Sequence, residues 1–554
     1  MSGTANLESS RTWQSDSQPG SRRIGNRSRC FRWRTGLAIV VLGGLTQTVV
    51  WNLAGSDRTL QVLYSMPILS ATILLFVLWW LFISGLPWLS RFLGILGVGA
   101  AVGLWMLVFR FDGFWGDMIP RFMFRWQPTS LERAEQYWAY QLAQPAMIDL
   151  DSTSKAEQQS DPVPLPITDF DWPGFRGPNR DGVVKSGEIR RDWDRTPPKL
   201  LWRHPVGLGW SSFAVVGGLA FTQEQRRELE CVVCYDFHTG RQLWVHSDIA
   251  QFTETLGGIG PRATPTVFDS RVYALGATGI LNCLDSRRGS VVWRCNILQD
   301  AGADNLTWGM SGSPLVYGKV VVVSPGGPGH TIVAYDRWTG EKLWAHGNRR
   351  AGYAAPRLAI IGGMRQILIF GGDGLSGHDP NTGGELWFFS WPHSEQINVA
   401  QPIVVDEVAI CFGSGYGKGS ALLDIVVDAH AWTIKKTPRW TSKQLKLKFN
   451  GPVAKDGYVY GLDEGILVCL NLATGKRQWK RGRYGYGQLL LIGDVILVQS
   501  DTGEVVLVEA NSERHRQIAR FPAIKGKTWN HPVVTRGRLL VRNAQEAACY
   551  DLRP

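Results

Sequence analysis

One ten-residue frame recurs five times in the chain and constrains its fold more than any other feature. It reads YDFHTGRQLW (235–244), LDSRRGSVVW (284–293), YDRWTGEKLW (335–344), HDPNTGGELW (378–387) and LNLATGKRQW (470–479). Each copy places an Asp or Asn, then a Gly four residues on, then a Trp eight residues on. The positions are Asp236, Gly240, Trp244; Asp285, Gly289, Trp293; Asp336, Gly340, Trp344; Asp379, Gly383, Trp387; and Asn471, Gly475, Trp479. Self-similarity at roughly forty to fifty residues means stacked supersecondary units rather than one irregular core.

The three positions have separate physical tasks. The Asp or Asn side chain accepts hydrogen bonds from its own turn, and the Gly supplies the left-handed residue of a bulged hairpin. The Trp opens the next strand, where its flat face covers the gap to a neighbouring unit. A second element precedes the frame: two short apolar strands around a turn, as in TPTVFDSRVYAL (264–275) and GPVAKDGYVYGL (451–462). Eight such hairpins occur, six introduced by Pro265, Pro314, Pro356, Pro402, Pro452 and Pro532. Four antiparallel strands per repeat make a propeller blade, so the expectation is an all-β, eight-bladed β-propeller. The frame breaks in blades five (VDAHAWTIKKTPRW, 427–440) and seven (VEANSERHRQIA, 508–519), where the ring is expected to be imperfect. The eighth hairpin ends at CYDLRP with no outer strand to follow. KLLWRHPV (199–206), with Trp202, is the expected replacement, since a strand from the far end of the domain removes an exposed sheet edge.

Ahead of the propeller stand three apolar stretches, 36–54, 62–84 and 92–109, of 19, 23 and 18 residues and without any Asp, Glu, Lys, Arg or His. Their lengths match the hydrocarbon thickness, and three long runs do not fit a cleaved signal peptide. The net charge of +12 is unevenly placed: residues 1–35 carry seven Arg against Glu8 and Asp16. These Arg residues and Arg91 fall on one side of the predicted spans, against Arg58, Arg110, Arg121 and Arg125 on the other. The positive-inside rule then puts the N-terminus in the cytoplasm and the propeller on the periplasmic side of the cytoplasmic (inner) membrane. The basic excess is thereby explained without nucleic acid. The domain order read from the chain is a basic tail (1–35), three transmembrane helices (36–110), an interfacial segment with a short helix and a Pro-rich linker (111–168), and the propeller (169–554). Thr129 and Glu132 form a capping-box pattern for the short helix.

The repeat frame resembles that of the pyrroloquinoline quinone (PQQ) propeller superfamily, as does the lead-in DWPGFRGPNRDG (171–182). That resemblance implies the eight-bladed fold but not the chemistry. The superfamily includes quinoprotein alcohol and sugar dehydrogenases, some membrane-bound, and a cofactor-free propeller lipoprotein of the outer-membrane β-barrel assembly machinery. A quinoprotein would hold PQQ with Ca²⁺ over the central channel, and many carry a vicinal Cys-Cys disulfide there. This chain has neither a Cys-Cys pair nor a Cys-x-x-Cys-His haem motif. Cys231 and Cys234 lie three apart on a strand and point to opposite faces. Cys234, Cys283, Cys469 and Cys549 each stand two residues before the repeat Asp or Asn, in a column that takes small buried residues.

The residues just before each hairpin are candidates for the channel mouth. They include Trp210, Arg262, Trp308, Met310, Tyr353, Arg357, Asn398, Asn450, Tyr486, Trp529, Asn530 and His531. Asn398, Asn450 and Asn530 would offer amide oxygens to a hard cation from exposed positions, but no carboxylate stands directly among the candidates. Aromatic and Arg content suits a binding surface. The expected function is therefore a membrane-anchored, non-catalytic propeller, held in the bilayer by three helices, that binds a protein or an envelope component. It is expected to need no metal or cofactor. The alternative is a membrane-bound PQQ- and Ca²⁺-dependent alcohol or sugar dehydrogenase.

Overall fold

The computed structural model describes residues 31–53, 58–114, 118–143, 165–185, 188–393, 396–428 and 433–554. Most of the basic tail and of the Pro-rich linker lie outside the described residues. The chain divides into two units, one holding Met1–Leu53 with Tyr64–Trp105 and the other Ala54–Leu63 with Met106–Pro554.

The first unit is helical. Helices α1 (Trp33–Leu53), α2 (Arg58–Leu78) and α3 (Trp88–Val108) follow one another in the chain, and α2 runs on through one widened turn, Trp79–Ile83. All three are long and apolar enough to cross a membrane. Each begins a few residues ahead of its apolar stretch, because backbone hydrogen bonding continues through the flanking polar and aromatic residues. Small residues let the helices approach: the Trp79 ring lies against Gly36, and its indole N–H donates to Thr35 Oγ1 at 2.8 Å.

The second unit is an eight-bladed propeller. Blades 1 to 7 each take four consecutive antiparallel strands, from Ala214–Ile249 in blade 1 to Gln488–Pro522 in blade 7. Blade 8 takes three strands between Val533 and Asp551, and its outer strand is Lys199–Pro205. Trp202 pairs with Cys549 in that strand, so the ring closes as the sequence predicts.

Each blade carries a bulge at the same place, and this explains the column of small residues. Cys234, Cys283, Ala334, Gly377, Cys469 and Cys549 stand directly opposite Trp244, Trp293, Trp344, Trp387, Trp479 and Trp202. In these six blades a small partner leaves room for the indole between blades, whereas blade 5 sets Leu422 opposite Trp440. The described cysteines are free, and burial pushes the thiols of Cys283, Cys411, Cys469 and Cys549 up to about 12. Inert core thiols have this character.

The Gly of the frame has a second reason to be Gly. Its φ is positive, 67° to 78° in Gly240, Gly289, Gly340, Gly383 and Gly475. It is also roofed by the Trp of the preceding blade: Trp202, Trp244, Trp293, Trp344 and Trp440 would stand only 2.5–2.6 to 2.7 Å from an added Cβ. The indole N–H then donates to the carbonyl just after the turn acid, as from Trp202 to Phe237 (3.0 Å), Trp244 to Ser286 (3.1 Å), Trp293 to Arg337 (2.9 Å) and Trp440 to Leu472 (2.7 Å). Asp236 Oδ1 accepts from the His238 and Thr239 amides at 2.9 and 2.8 Å, which fixes the turn that receives the indole.

Blade 5 departs from the expectation of a break. Its outer strands, Gly419–Asp428 and Thr433–Ser442, are ten residues each, so the spacing to the Trp changes. Trp440 nevertheless docks on blade 6 as the others do. Blade 7 does lack the Trp: Ala519 takes its place, opposite the larger Leu507.

Helix α4 (Ser130–Ala143) starts with the expected capping box, Glu132 N–H to Thr129 Oγ1 at 3.0 Å and Thr129 N–H to Glu132 Oε2 at 2.7 Å. It straps onto blades 1 and 8. Tyr137 stacks on His204 (5.1 Å), and Arg226 lies 3.9 Å from the Trp138 ring centre.

Candidate functional site

The inner strands of the blades surround an axial channel, and the lead-in closes it. Pro173 accepts a hydrogen bond from Val267 of blade 2, Trp172 bridges Val215 of blade 1, and Val183–Val184 pairs with blade 7. Two fully buried arginines complete the plug. Arg176 donates to the carbonyls of Gly451 (3.1 Å) and Pro452 (2.6 Å) in blade 6 and contacts His531 Nε2 (2.9 Å) in blade 8. Arg180 donates to the carbonyls of Ser313 (2.8 Å), Pro314 and Pro356 (2.9 Å) in blades 3 and 4. Arg357 reaches Pro402 of blade 5 in the same way, at 2.9 Å. The proline that introduces each hairpin leaves a carbonyl at the channel, and a planar guanidinium satisfies several at once.

Above the plug lies a bowl of about 430 Å³ to which all eight blades contribute. Phe175 of the lead-in and His531 line it, with Trp210, Trp308, Tyr353, Tyr416, Phe449 and Trp529 as aromatic residues and Arg262 and Lys448 as cations. Among the described residues, no Asp or Glu lines it. His531 is fully buried, and its pKa is pushed well below the usual range by that burial and by the Arg176 charge, so the ring is neutral. Trp210 and Trp529 lean together at 4.9 Å, and Phe449 packs on Trp529 at 5.0 Å.

The cations of the bowl rest on rings and carbonyls. Arg262 donates to the Trp308 carbonyl at 2.9 Å and the Gly258 carbonyl at 2.7 Å, with its guanidinium 4.6 Å from the Phe252 ring centre. Burial lowers its pKa to about 10. Lys527, behind the rim, sits 3.7 Å from the Trp529 ring centre and 5.1 Å from that of Trp210, and donates to the Leu256 carbonyl at 3.0 Å. Burial first, then the Arg121 charge, brings its pKa down to about 7. Lys448 donates to Tyr486 Oη at 2.8 Å and stands 3.8 Å from Glu464.

The expected mouth residues divide into two sets. Trp210, Arg262, Trp308, Tyr353, Trp529 and His531 line the bowl. Asn398, Asn450 and Asn530 do not: they are 0%, 2% and 1% exposed, which corrects their placement at an exposed mouth. Asn398 Nδ2 donates to the Gly371 carbonyl (2.7 Å), Asn450 Nδ2 to Leu462 (3.0 Å) and Asn530 Nδ2 to Ser211 (2.8 Å). Around Asn398 and Asn530 the lining residues alternate along the chain, whereas Lys448 and Phe449 line the bowl consecutively at a bend. Ile397 and Val399, Phe449, and Trp529 and His531 face the bowl, while the Asn between or beside them turns into the sheets. Met310 and Arg357 are buried as well. The sequence reading missed Phe175, Tyr416, Lys448 and Lys527. The run KTWNH (527–531) carried a period-two signal for the last of these.

The profile of the family described as outer membrane protein assembly factor BamB matches residues 186–293 and 229–481. The chain belongs to this PQQ-like propeller family. Outer membrane protein assembly factor BamB of Burkholderia pseudomallei (strain K96243) is 24% identical over 366 residues, covering 55% of this chain and 88% of that protein. Among solved structures, a europium-containing methanol dehydrogenase is similar over 69% of this chain and 91% of its own, with a TM-score of 0.53 and 10% identity. The quinohemoprotein alcohol dehydrogenase of Comamonas testosteroni covers 69% of this chain and 80% of its own, with a TM-score of 0.50 and 14% identity. At such identities the two dehydrogenases share the propeller fold with this family member, and nothing about chemistry follows from them.

Proposed function

We propose that the chain is a membrane-anchored, non-catalytic propeller whose bowl and rim bind a protein or an envelope component on the outer side of the cytoplasmic membrane. The observation that carries this reading is the bowl's lining, which among the described residues combines aromatic rings and cations with no carboxylate. Such a lining suits recognition, and the one His that lines it among the described residues gives its Nε2 to Arg176. The donor set does not fit PQQ with Ca²⁺, because a hard cation needs carboxylate oxygens that the bowl's described residues lack, and the amides of Asn398, Asn450 and Asn530 are turned away. Membership in a family described by an outer-membrane assembly factor supports a protein partner. The Arg asymmetry around the three spans supports the orientation.

Two experiments test it. A reporter active only outside the cytoplasm, fused after Pro554, is expected to work; activity from a cytoplasm-restricted reporter alone would reverse the topology. A photo-crosslinking residue at Trp308 is expected to give a discrete envelope adduct that the same residue at the plugged end, at Phe170, does not. Equal adducts from both positions would remove the bowl from the proposal.

A further inference from the structure

We propose that the bowl recognises an anionic amphiphile: the charged head of a membrane lipid engages Lys527, Arg262 and Arg121, and its apolar part lies among the aromatic rings. This rests on the non-catalytic, membrane-anchored reading above and names what the bowl holds.

The local charge is positive. Lys527 is held by two indole faces and one carbonyl, and Arg262 by carbonyls and a phenyl ring. Arg121 pairs with Asp112 and lies beside Gly526. The nearest other acid, Glu254, spends its carboxylate on the backbone amides of Leu256 (2.9 Å) and Gly257 (2.6 Å). Glu230 also faces Arg262, but burial keeps its carboxyl protonated up to about pH 7, so among the described residues two charged acids face three cations. An anion entering there meets the Lys527 ammonium, whose hydrogen bond goes to the Leu256 carbonyl, in a site of low dielectric.

The source of that anion follows from the hairpin Phe109–Phe124. It begins at the residue after α3 ends, and it exposes Phe111, Ile119 and Phe122, with Trp126 just beyond. Aromatic and Arg residues directly after a membrane-spanning helix belong at the lipid headgroup level. The same hairpin supplies Met118 to the bowl's lining and Arg121 to the cation group. The bowl therefore opens beside a segment that seats in the headgroup region. A free phosphate would satisfy the cations but leave the aromatic walls wet. At about 430 Å³ the bowl is near the low end for small-molecule sites, so it takes a headgroup or a chain segment rather than a whole lipid.

Binding is linked to protonation. The charged groups around the Lys527 ammonium are Arg121, Arg262 and Glu254, and its pKa in the free protein is about 7. A bound anion favours the charged form and raises that value, so binding takes up protons near and above pH 7. Affinity is then higher at pH 6 than at pH 8.5.

The test uses the full chain in non-ionic detergent. Short-chain phosphatidylglycerol, phosphatidylcholine with the same chains and inorganic phosphate are titrated by tryptophan fluorescence. Calorimetry in two buffers of different ionisation enthalpy gives the proton uptake. Phosphatidylglycerol is expected to bind about tenfold more tightly than either other probe, as one charge-assisted contact predicts. Lys527→Gln and, on the surface hairpin, Arg121→Gln should each weaken it about five- to tenfold, and Lys527→Gln should abolish the proton uptake. The Arg121 variant and the proton uptake of the unaltered chain keep the test open if Lys527→Gln fails to fold. Equal affinity for the two lipids, phosphate binding as tight as phosphatidylglycerol, or no proton uptake overturns the proposal. If the Trp308 adduct forms while phosphatidylglycerol does not bind, this inference falls and the scaffold reading stands. Quinone-dependent turnover removes the scaffold reading itself.

Discussion

The two ends of the channel use the same residue types to opposite effect. At the plugged end, Arg176 and Arg180 are fully buried and point their guanidinium groups at backbone carbonyls of blades 3, 4 and 6. Their charge is consumed in holding blades together. At the open end, Lys527 leans on two indole faces and gives its hydrogen bond to one carbonyl, that of Leu256, whereas Arg262 joins a phenyl ring to three carbonyls, those of Gly258, Gly260 and Trp308. A cation over a ring keeps much of its attraction for an anion, whereas one saturated by carbonyls is a structural clamp. What a buried cation does in this fold is set by what it faces, which its depth alone does not reveal.

The sharpest way to break that comparison is to remove a clamp. Arg180→Met strands several buried carbonyls at once and is expected to cost about 3–5 kcal/mol in denaturant unfolding of the full chain. Lys527→Gln, by contrast, should stay within about 1 kcal/mol. Equal costs would mean that the two ends are built alike.

Next come the seams between blades. Trp293→Ala empties a site roofing Gly340 and should cost roughly 3 kcal/mol, measured the same way. The loss should be smaller at Trp244 and Trp344, which are only half-buried. Trp387 tests the origin of the energy, because its indole donates to Gln366 of its own blade at 2.6 Å rather than to the next blade. Trp387→Ala should therefore destabilise blade 4 without the cross-blade coupling that a Trp293–Gly340 double-mutant cycle reveals.

A smaller effect separates blade 1 from blade 2. Glu230 is buried, its carboxylate accepts from the Ala277 amide at 2.9 Å, and burial raises its pKa to about 7. Folded protein therefore keeps this proton up to about pH 7, whereas the unfolded chain releases it near the ordinary carboxylate value. Stability from this group is present at low pH and falls as pH rises between those two values. Glu230→Gln should flatten that slope in a stability-versus-pH series; an unchanged slope would assign it to another group. Smallest of all, Trp308→Ala should shift stability by no more than about 1 kcal/mol while reducing the bowl's fluorescence response, which Trp210 and Trp529 still carry.

Much of this was legible in the sequence, for physical reasons that differ by region. The blades were legible because one local interaction set, turn acid, roofed Gly and docking Trp, repeats at near-constant spacing. Trp440 escaped because long outer strands shift its spacing while leaving its contacts intact. The open end was half legible: Trp210, Arg262 and Trp308 precede hairpins and do line the bowl. Asn398, Asn450 and Asn530 also precede hairpins, yet a one-residue step along the chain turns them inward. Phe175 and Arg180 were not legible as channel residues, since they reach it from a lead-in far away in sequence. That pairing depends on ring closure.

The central claim, that the bowl recognises rather than reacts, is tested most directly by titrating PQQ and Ca²⁺ into the purified full chain. Quinone absorbance and alcohol- or sugar-dependent dye reduction are followed together. The account predicts no stoichiometric quinone binding and no turnover; a bound quinone that reduces dye with either substrate class would contradict it.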